Sequence, residues 1–274
     1  MSPLTCNALL AVMAVTVAWG SLAFAEVSGQ SVEYRDGDVL LEGYLAYDEA
    51  VAEPRPLVLV VHEWWGLNDY ARDRARQLAQ LGYVAFAVDM YGKGVVATDR
   101  KRAGELAGGL RTDRELMRRR ALAGLEAVRS DPRVDGGRVG AIGYCFGGTV
   151  VLELARSGAD LDGVVSFHGG LDTTAPSDHK ITAKVLVLTG ADDRSVLPAA
   201  ITGFIDEMRQ ARANYQINIY GGAVHSFTNP AAGSDPSTNS AYNAQADRRS
   251  WEAMKDFLAE ALTPPPASDG GQTP

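Results

Sequence analysis

The chain of 274 residues is 46% hydrophobic and 22% charged, enough apolar side chain for a sizeable buried core, and unlike disordered, collagen-like or multi-span membrane chains. A formal net charge of −8 offers no global basic field to a phosphate backbone, so no nucleic-acid partner is expected. Two cysteines, Cys6 and Cys145, exclude a disulfide-rich scaffold and an all-cysteine metal site.

Residues 1–25 hold no charged side chain, Ala8–Trp19 is almost wholly apolar, and Ala23-Phe24-Ala25 places small residues ahead of Glu26. That is the pattern of a secretory signal peptide cut after Ala25. A retained N-terminal anchor is the alternative, because the run approaches the ~18–20 residues that span a bilayer. Cleavage would leave a periplasmic or secreted protein without a stable membrane span, with Cys145 as its single thiol.

From Glu26 onward, Ser31–Tyr34 and Val39–Tyr47 flank Asp36-Gly37-Asp38 and read as an antiparallel hairpin. Leu57–His62 and Val84–Asp89 are continuous apolar runs suited to strands buried on both faces. Between them a helix is predicted from Asn68, its N-cap, to Leu81. Helical patterns occupy about 100–106 and 113–129; the second holds Arg118-Arg119-Arg120, which reads as a solvated face rather than a nucleic-acid patch.

Three more strands are predicted at Val139–Tyr144, Gly163–His168 and Lys184–Leu188, with a helix between Cys145 and Ser157. A helix over 198–213, a strand Tyr215–Tyr220 and an amphipathic helix over 241–262 complete the body. The alternation predicts an α/β fold, a mostly parallel sheet with helices on both faces. No repeat or linker divides it, so one domain is expected over 26–262, followed by a Pro/Gly-rich tail, 263–274, that reads as disordered.

The strongest motif is Gly143-Tyr144-Cys145-Phe146-Gly147-Gly148 between a buried strand and a helix. It is G-x-S-x-G with Cys in place of Ser, and the glycines suit a strained strand-to-helix turn that lifts a nucleophile above the sheet edge. The helix N-terminus favours thiolate, and the Phe146 N–H is placed to receive an oxyanion. A buried structural Cys in a Gly-rich turn is the competing reading. A dinucleotide site is not supported, since no G-x-G-x-x-G occurs.

A nucleophile on this turn needs an acid and a histidine later in the chain. The loop after Lys184–Leu188 holds Asp192 and Asp193, of which Asp193 is preferred, and His225 follows the last strand. His62, His168 and His179 have no comparable context. His62-Glu63 is not a zinc-protease motif, because position 66 is Gly, and neither metal nor cofactor is expected.

His62-Glu63-Trp64-Trp65-Gly66 follows the first buried strand, where an α/β-hydrolase supplies its second oxyanion-hole N–H. With H-E-x-x-G, G-Y-C-F-G-G, G-x-x-D-x-x-V and H-S-F in order, the chain resembles the dienelactone hydrolases over about 32–262. That resemblance implies an α/β-hydrolase fold, a Cys145–His225–Asp193 triad and an oxyanion hole from the Trp64 and Phe146 N–H groups. It also implies that Glu63 contacts the resting thiol and helps generate thiolate.

Dienelactone hydrolases of the chlorinated muconate pathway carry Arg after D-x-Y and after H-S-F to hold a substrate carboxylate. Here those stretches contain Lys93 and Asn229. Lys93 could supply one charge without the guanidinium fork. The expected activity is therefore cleavage of a small-molecule ester or lactone, as in carboxymethylenebutenolidases, through a thioester acyl-enzyme. Trp65, Tyr91, Tyr144 and Phe227 are candidates to line the pocket with Trp64. A monomer is expected, and a dimer is also compatible. A thiol redox sensor and a catalytically silent binding protein on the same fold are the competing functions.

Overall fold

The computed structural model describes residues 26–263. The segment expected to be a signal peptide and tail residues 264–274 lie outside the described residues. One eight-stranded sheet runs through the molecule in the order β1-β2-β4-β3-β5-β6-β7-β8. The strands are β1 Val27–Asp36, β2 Val39–Asp48, β3 Arg55–Val61, β4 Val84–Val88, β5 Val134–Tyr144, β6 Gly163–Phe167, β7 Lys184–Gly190 and β8 Tyr215–Tyr220. Only the β1–β2 and β2–β4 pairings are antiparallel; from β4 to β8 every pairing is parallel. This is the α/β-hydrolase fold.

Residue alternation along β3 builds the two halves of the core. Leu57, Leu59 and Val61 point to one face, where they join Met117, Ala121 and Leu125 of α3 (Arg114–Arg129) and Val150 and Leu154 of α4 (Phe146–Arg156). Val58 and Val60 point to the other, against Ala71, Ala75 and Leu78 of α1 (Asp69–Gln80) and Met254 and Leu258 of α6 (Ala244–Ala261). A strand with helices on both sides must be apolar at every position, which is why the sequence shows a run rather than an alternation. Burying each such side chain is worth ~1.5–3 kcal/mol. Asn68 caps α1 by accepting from the Ala71 N–H at 3.4 Å.

Several boundaries differ from expectation. β1 starts at Val27 and β5 at Val134. In β5 the pairing with β3 shifts register at Pro56/Leu57, and this irregularity hides the first half of the strand in the sequence. The helix expected to end near 106 is α2, Arg100–Thr112, running through Gly108 and Gly109. Each mid-helix glycine costs ~1 kcal/mol, but Ala103, Ala107 and Leu110 form a buried stripe at helical spacing that holds the last turn. A helix over 198–210, α5, lies before β8.

The arginine cluster is also not a simple solvated face. Arg118 donates to the buried Glu153 at 2.7 and 3.0 Å, and Arg119 and Arg120 both reach Asp36 of β1. The charges that looked surplus tie α3 to α4 and to the hairpin.

Chain order takes β3 to β4 on one side and then crosses to β5 on the other. The carboxyl ends of β3 and β5 therefore open onto a topological switch point, where open α/β sheets form their clefts.

Candidate active site

Cys145 follows β5 in the turn into α4, with φ 53° and ψ −112°. This backbone is strained for a residue with a Cβ, and its neighbours explain how it is held. A Cβ on Gly143 would stand 2.0 Å from the Gly147 carbonyl oxygen, and one on Gly147 would stand 2.2 Å from that of Val61. Only glycine at both positions lets the turn close and α4 lie against β3. The Cys145 N–H donates to the Phe167 carbonyl at 2.9 Å and to His168 Nδ1 at 3.1 Å, so β6 grips the turn from the side.

Three loops at the same sheet edge bring together groups distant in sequence. His225 Nε2 lies 3.0 Å from Cys145 Sγ, and His225 Nδ1 lies 2.9 Å from Asp193 Oδ2. The other Asp193 oxygen accepts the Ser195 N–H at 2.8 Å, while Asp192 is exposed. The N–H of Ala241 donates to the His225 carbonyl at 3.1 Å, fixing the imidazole's loop.

Burial alone would lower the His225 pKa. The charge and hydrogen bond of Cys145 on one side and Asp193 on the other outweigh it and hold the imidazole well above its usual range. Burial likewise pushes the Asp193 carboxyl up, but the His225 contact and the Ser195 N–H leave it below the usual carboxylate value. A thiol, imidazole and carboxylate in this row can move a proton off sulfur and stabilise the imidazolium that results.

The row opens into a cavity of about 940 Å³, lined among others by Glu63, Trp64, Trp65, Cys145 and His225. Its size is that of a small-molecule cleft. Glu63 is buried, with one oxygen accepting from the Asn229 amide at 2.6 Å and Oε1 without a partner. Burial raises its pKa against the pull of Asn229 and His225. Tyr91 donates its hydroxyl to the Trp64 carbonyl at 3.0 Å and packs its ring edge-on to His62, bracing the tryptophan loop from behind. Among the described residues, no cluster of three or more His, Cys, Asp or Glu could hold a metal ion.

Four expected pocket residues lie elsewhere, Tyr91 among them, behind the tryptophan loop. Lys93 pairs with Glu33 and Glu42 on the β1–β2 hairpin, because its loop turns away from the cavity and toward the hairpin's acids. Tyr144 is fully buried and stacks on Phe167 at 4.6 Å. Phe227 is fully buried against His168 and Tyr220. Tyr144 ends β5 facing the α1 and α6 layer, so strand alternation sends it into the core while Cys145 turns up to the edge.

The sequence reading gave no role to His168, Asn229, Arg111 or Arg114. His168 accepts from the Cys145 N–H through Nδ1, and its Nε2 lies 2.8 Å from Thr228 Oγ1. Burial, reinforced by the His225 charge, drives its pKa well below the usual range, so the ring is neutral and Nδ1 is free to accept. Strand register carries the signal: Tyr144 pairs with Phe167, which sets the next residues, Cys145 and His168, side by side. Arg111 and Arg114 also line the cavity.

Comparison with known proteins agrees with this geometry. The dienelactone hydrolase family model matches residues 41–262. A Synechocystis protein provisionally named a carboxymethylenebutenolidase is 30% identical, over 81% of this chain and 92% of its own length. The crystal structure of a dienelactone hydrolase-like promiscuous phosphotriesterase from metagenomic libraries is 42% identical, with a TM-score of 0.81 over 86% of this chain and 99% of that one. A Klebsiella pneumoniae structure provisionally named a dienelactone hydrolase shares the fold at a TM-score of 0.72 and 24% identity. The chain belongs to the dienelactone hydrolase family and is a hydrolase of that type.

Proposed function

We propose that the protein is a carboxylic ester hydrolase acting on small esters or lactones through a Cys145–His225–Asp193 triad. The observation that carries this reading is the hydrogen-bonded row from Asp193 through His225 to Cys145 at the cavity, with the thiol on a positive-φ turn. The Cys145 thiolate attacks the carbonyl carbon, and the C–O π pair moves onto oxygen. The Trp64 and Phe146 N–H groups hold that oxyanion. Collapse breaks the bond to the leaving oxygen, which takes a proton from His225, and leaves a thioester on Cys145. His225 then removes a proton from water as the water attacks the thioester; the acid departs and the thiolate is restored.

Glu63 serves in the resting state. Its unpartnered Oε1 and raised pKa suit a carboxylate that takes the thiol proton as substrate excludes water and passes it to His225, which is then the imidazolium that protonates the leaving oxygen. Asn229 holds the opposite oxygen and so aims the carboxyl.

The reading is tested by mixing the enzyme with a 4-nitrophenyl ester and recording intact mass. An acyl adduct on Cys145 and a burst of nitrophenolate are expected, with both lost in Cys145→Ala. His225→Ala is expected to lower kcat/KM by ~10³-fold or more. Full activity in both variants would overturn the proposal. The same thiolate could attack phosphorus, and the 42% identity to a promiscuous phosphotriesterase favours including diethyl 4-nitrophenyl phosphate as a second electrophile.

Export to the periplasm or medium belongs to the same proposal and rests on residues 1–25 alone. Expression in a bacterial host should yield an extracytoplasmic protein whose N-terminal sequence begins at Glu26.

A further inference from the structure

One wall of the cavity carries more positive charge than its surroundings neutralise. Arg111, in the last turn of α2, and Arg114, the first residue of α3, line the same space as Cys145 and His225. The Arg114 side chain is 8% exposed, yet its Nε has no hydrogen-bond partner. Nη1 reaches only the Met117 sulfur at 3.8 Å, and Nη2 lies 4.0 Å from Asp172, whose side chain is 83% exposed. A guanidinium this buried ordinarily has its donors engaged by carboxylate or carbonyl oxygens.

Arg111 lies over the Phe146 ring at 5.7 Å and has no ion-pair partner among the described residues. The Arg114 pKa is lowered first by burial, and the positive charges of Arg156 and Arg111 add to that, against Glu153 and Asp172. The other acid near Arg114, Glu153, is committed elsewhere, accepting from Arg118 and Arg156.

We propose that Arg111 and Arg114 form an anion subsite that selects esters bearing a second, carboxylate group. This rests on the ester-hydrolase reading for its reaction but not for its binding. The subsite lies at the α2–α3 junction, not at Lys93 or Asn229, which are occupied by Glu33 and Glu42 and by Glu63. Arg111 lines the same cavity as Cys145 and lies over the ring of the next residue, Phe146. A carboxylate arriving there would engage the idle Arg114 donors and displace the weak contact with Asp172.

Two pairs of probes test it. Mono-4-nitrophenyl glutarate against 4-nitrophenyl butyrate places the charge on the acyl side, and 4-acetoxybenzoate against phenyl acetate places it on the leaving side. The enzyme is expected to favour the charged member of one pair at least tenfold in kcat/KM. Arg111→Gln and Arg114→Gln should lower that preference ~10-fold or more, the effect of losing a hydrogen bond between charged groups. Arg114→Lys should restore part of it. Should Arg114→Gln fail to fold, the half-buried Arg111→Gln carries the test.

Calorimetric binding of glutarate to Cys145→Ala supplies a readout without turnover, and binding should be lost when Arg111→Gln is added. Arginine-dependent glutarate binding without hydrolysis of any probe would sink the hydrolase reading and leave the subsite standing. Equal kcat/KM within both pairs, or glutarate binding indifferent to Arg111, overturns the subsite.

Discussion

Two buried glutamates show how the same side chain becomes scaffold in one place and reagent in another. Glu153, in the middle of α4, is fully buried, and its oxygens accept from Arg118 at 2.7 Å and Arg156 at 3.1 Å. Arg156 is in turn held by Glu207 at 2.8 Å. Glu63, at the end of β3, is almost as buried but has a single neutral partner, Asn229, and one oxygen bonded to nothing. Glu153 has two guanidiniums within hydrogen-bond distance, whereas Glu63 has none, and burial raises its pKa against the weaker pull of Asn229, His225 and Arg74. A satisfied buried charge fixes packing, whereas an under-satisfied one beside a cavity is free to exchange a proton.

The comparison breaks first on stability. Glu153→Gln removes the carboxylate that Arg118 and Arg156 share and should cost ~3–5 kcal/mol, read as a drop in the urea midpoint. A loss below about 1 kcal/mol would place Glu153 among ordinary polar residues.

Glu63→Gln should do the reverse, lowering kcat/KM by ~10–100-fold while leaving the fold intact. Its pH dependence sharpens the contrast. The folded Glu63 pKa is raised, chiefly by burial, so between the unfolded value of ~4.3 and the folded one the native state keeps a proton that the unfolded chain releases. Wild-type stability therefore falls as pH rises through that window. Glu63→Gln lacks this loss, so it should match or exceed wild type at pH 7, with the difference closing below about pH 4. Denaturant midpoints across that range decide the sign.

The smallest effect is expected at Lys93, whose exposed pairs with Glu33 and Glu42 are worth little. Lys93→Ala should leave kcat/KM for neutral and carboxylate-bearing esters within about twofold. A selective loss on the charged ester would return substrate recognition to the hairpin side.

Much of this architecture is legible in the chain. Apolar runs such as Leu57–Val61 announce strands covered on both faces, and Gly143 to Gly148 announces a turn that only small flanking residues permit. Other features were hidden because a distant contact overrides a local preference. Gly108-Gly109 argues for a helix end, yet the buried Leu110 extends α2 by a turn and delivers Arg111 to the cavity. Tyr144 and Phe227 are aromatics beside Cys145 and His225 in sequence, but strand direction sends both into the core.

The sequence by itself determined the order of strands and helices, the strained turn at Cys145 and the order of thiol, acid and imidazole, because each depends on neighbouring residues and their spacing. Tertiary structure decided which charges are spent and which remain available. Asp36 meets Arg119 and Glu63 meets Asn229 across 83 and 166 residues of chain. The energy of a charge depends on burial and on partners a few ångströms away in space, and neither is written in the residues beside it.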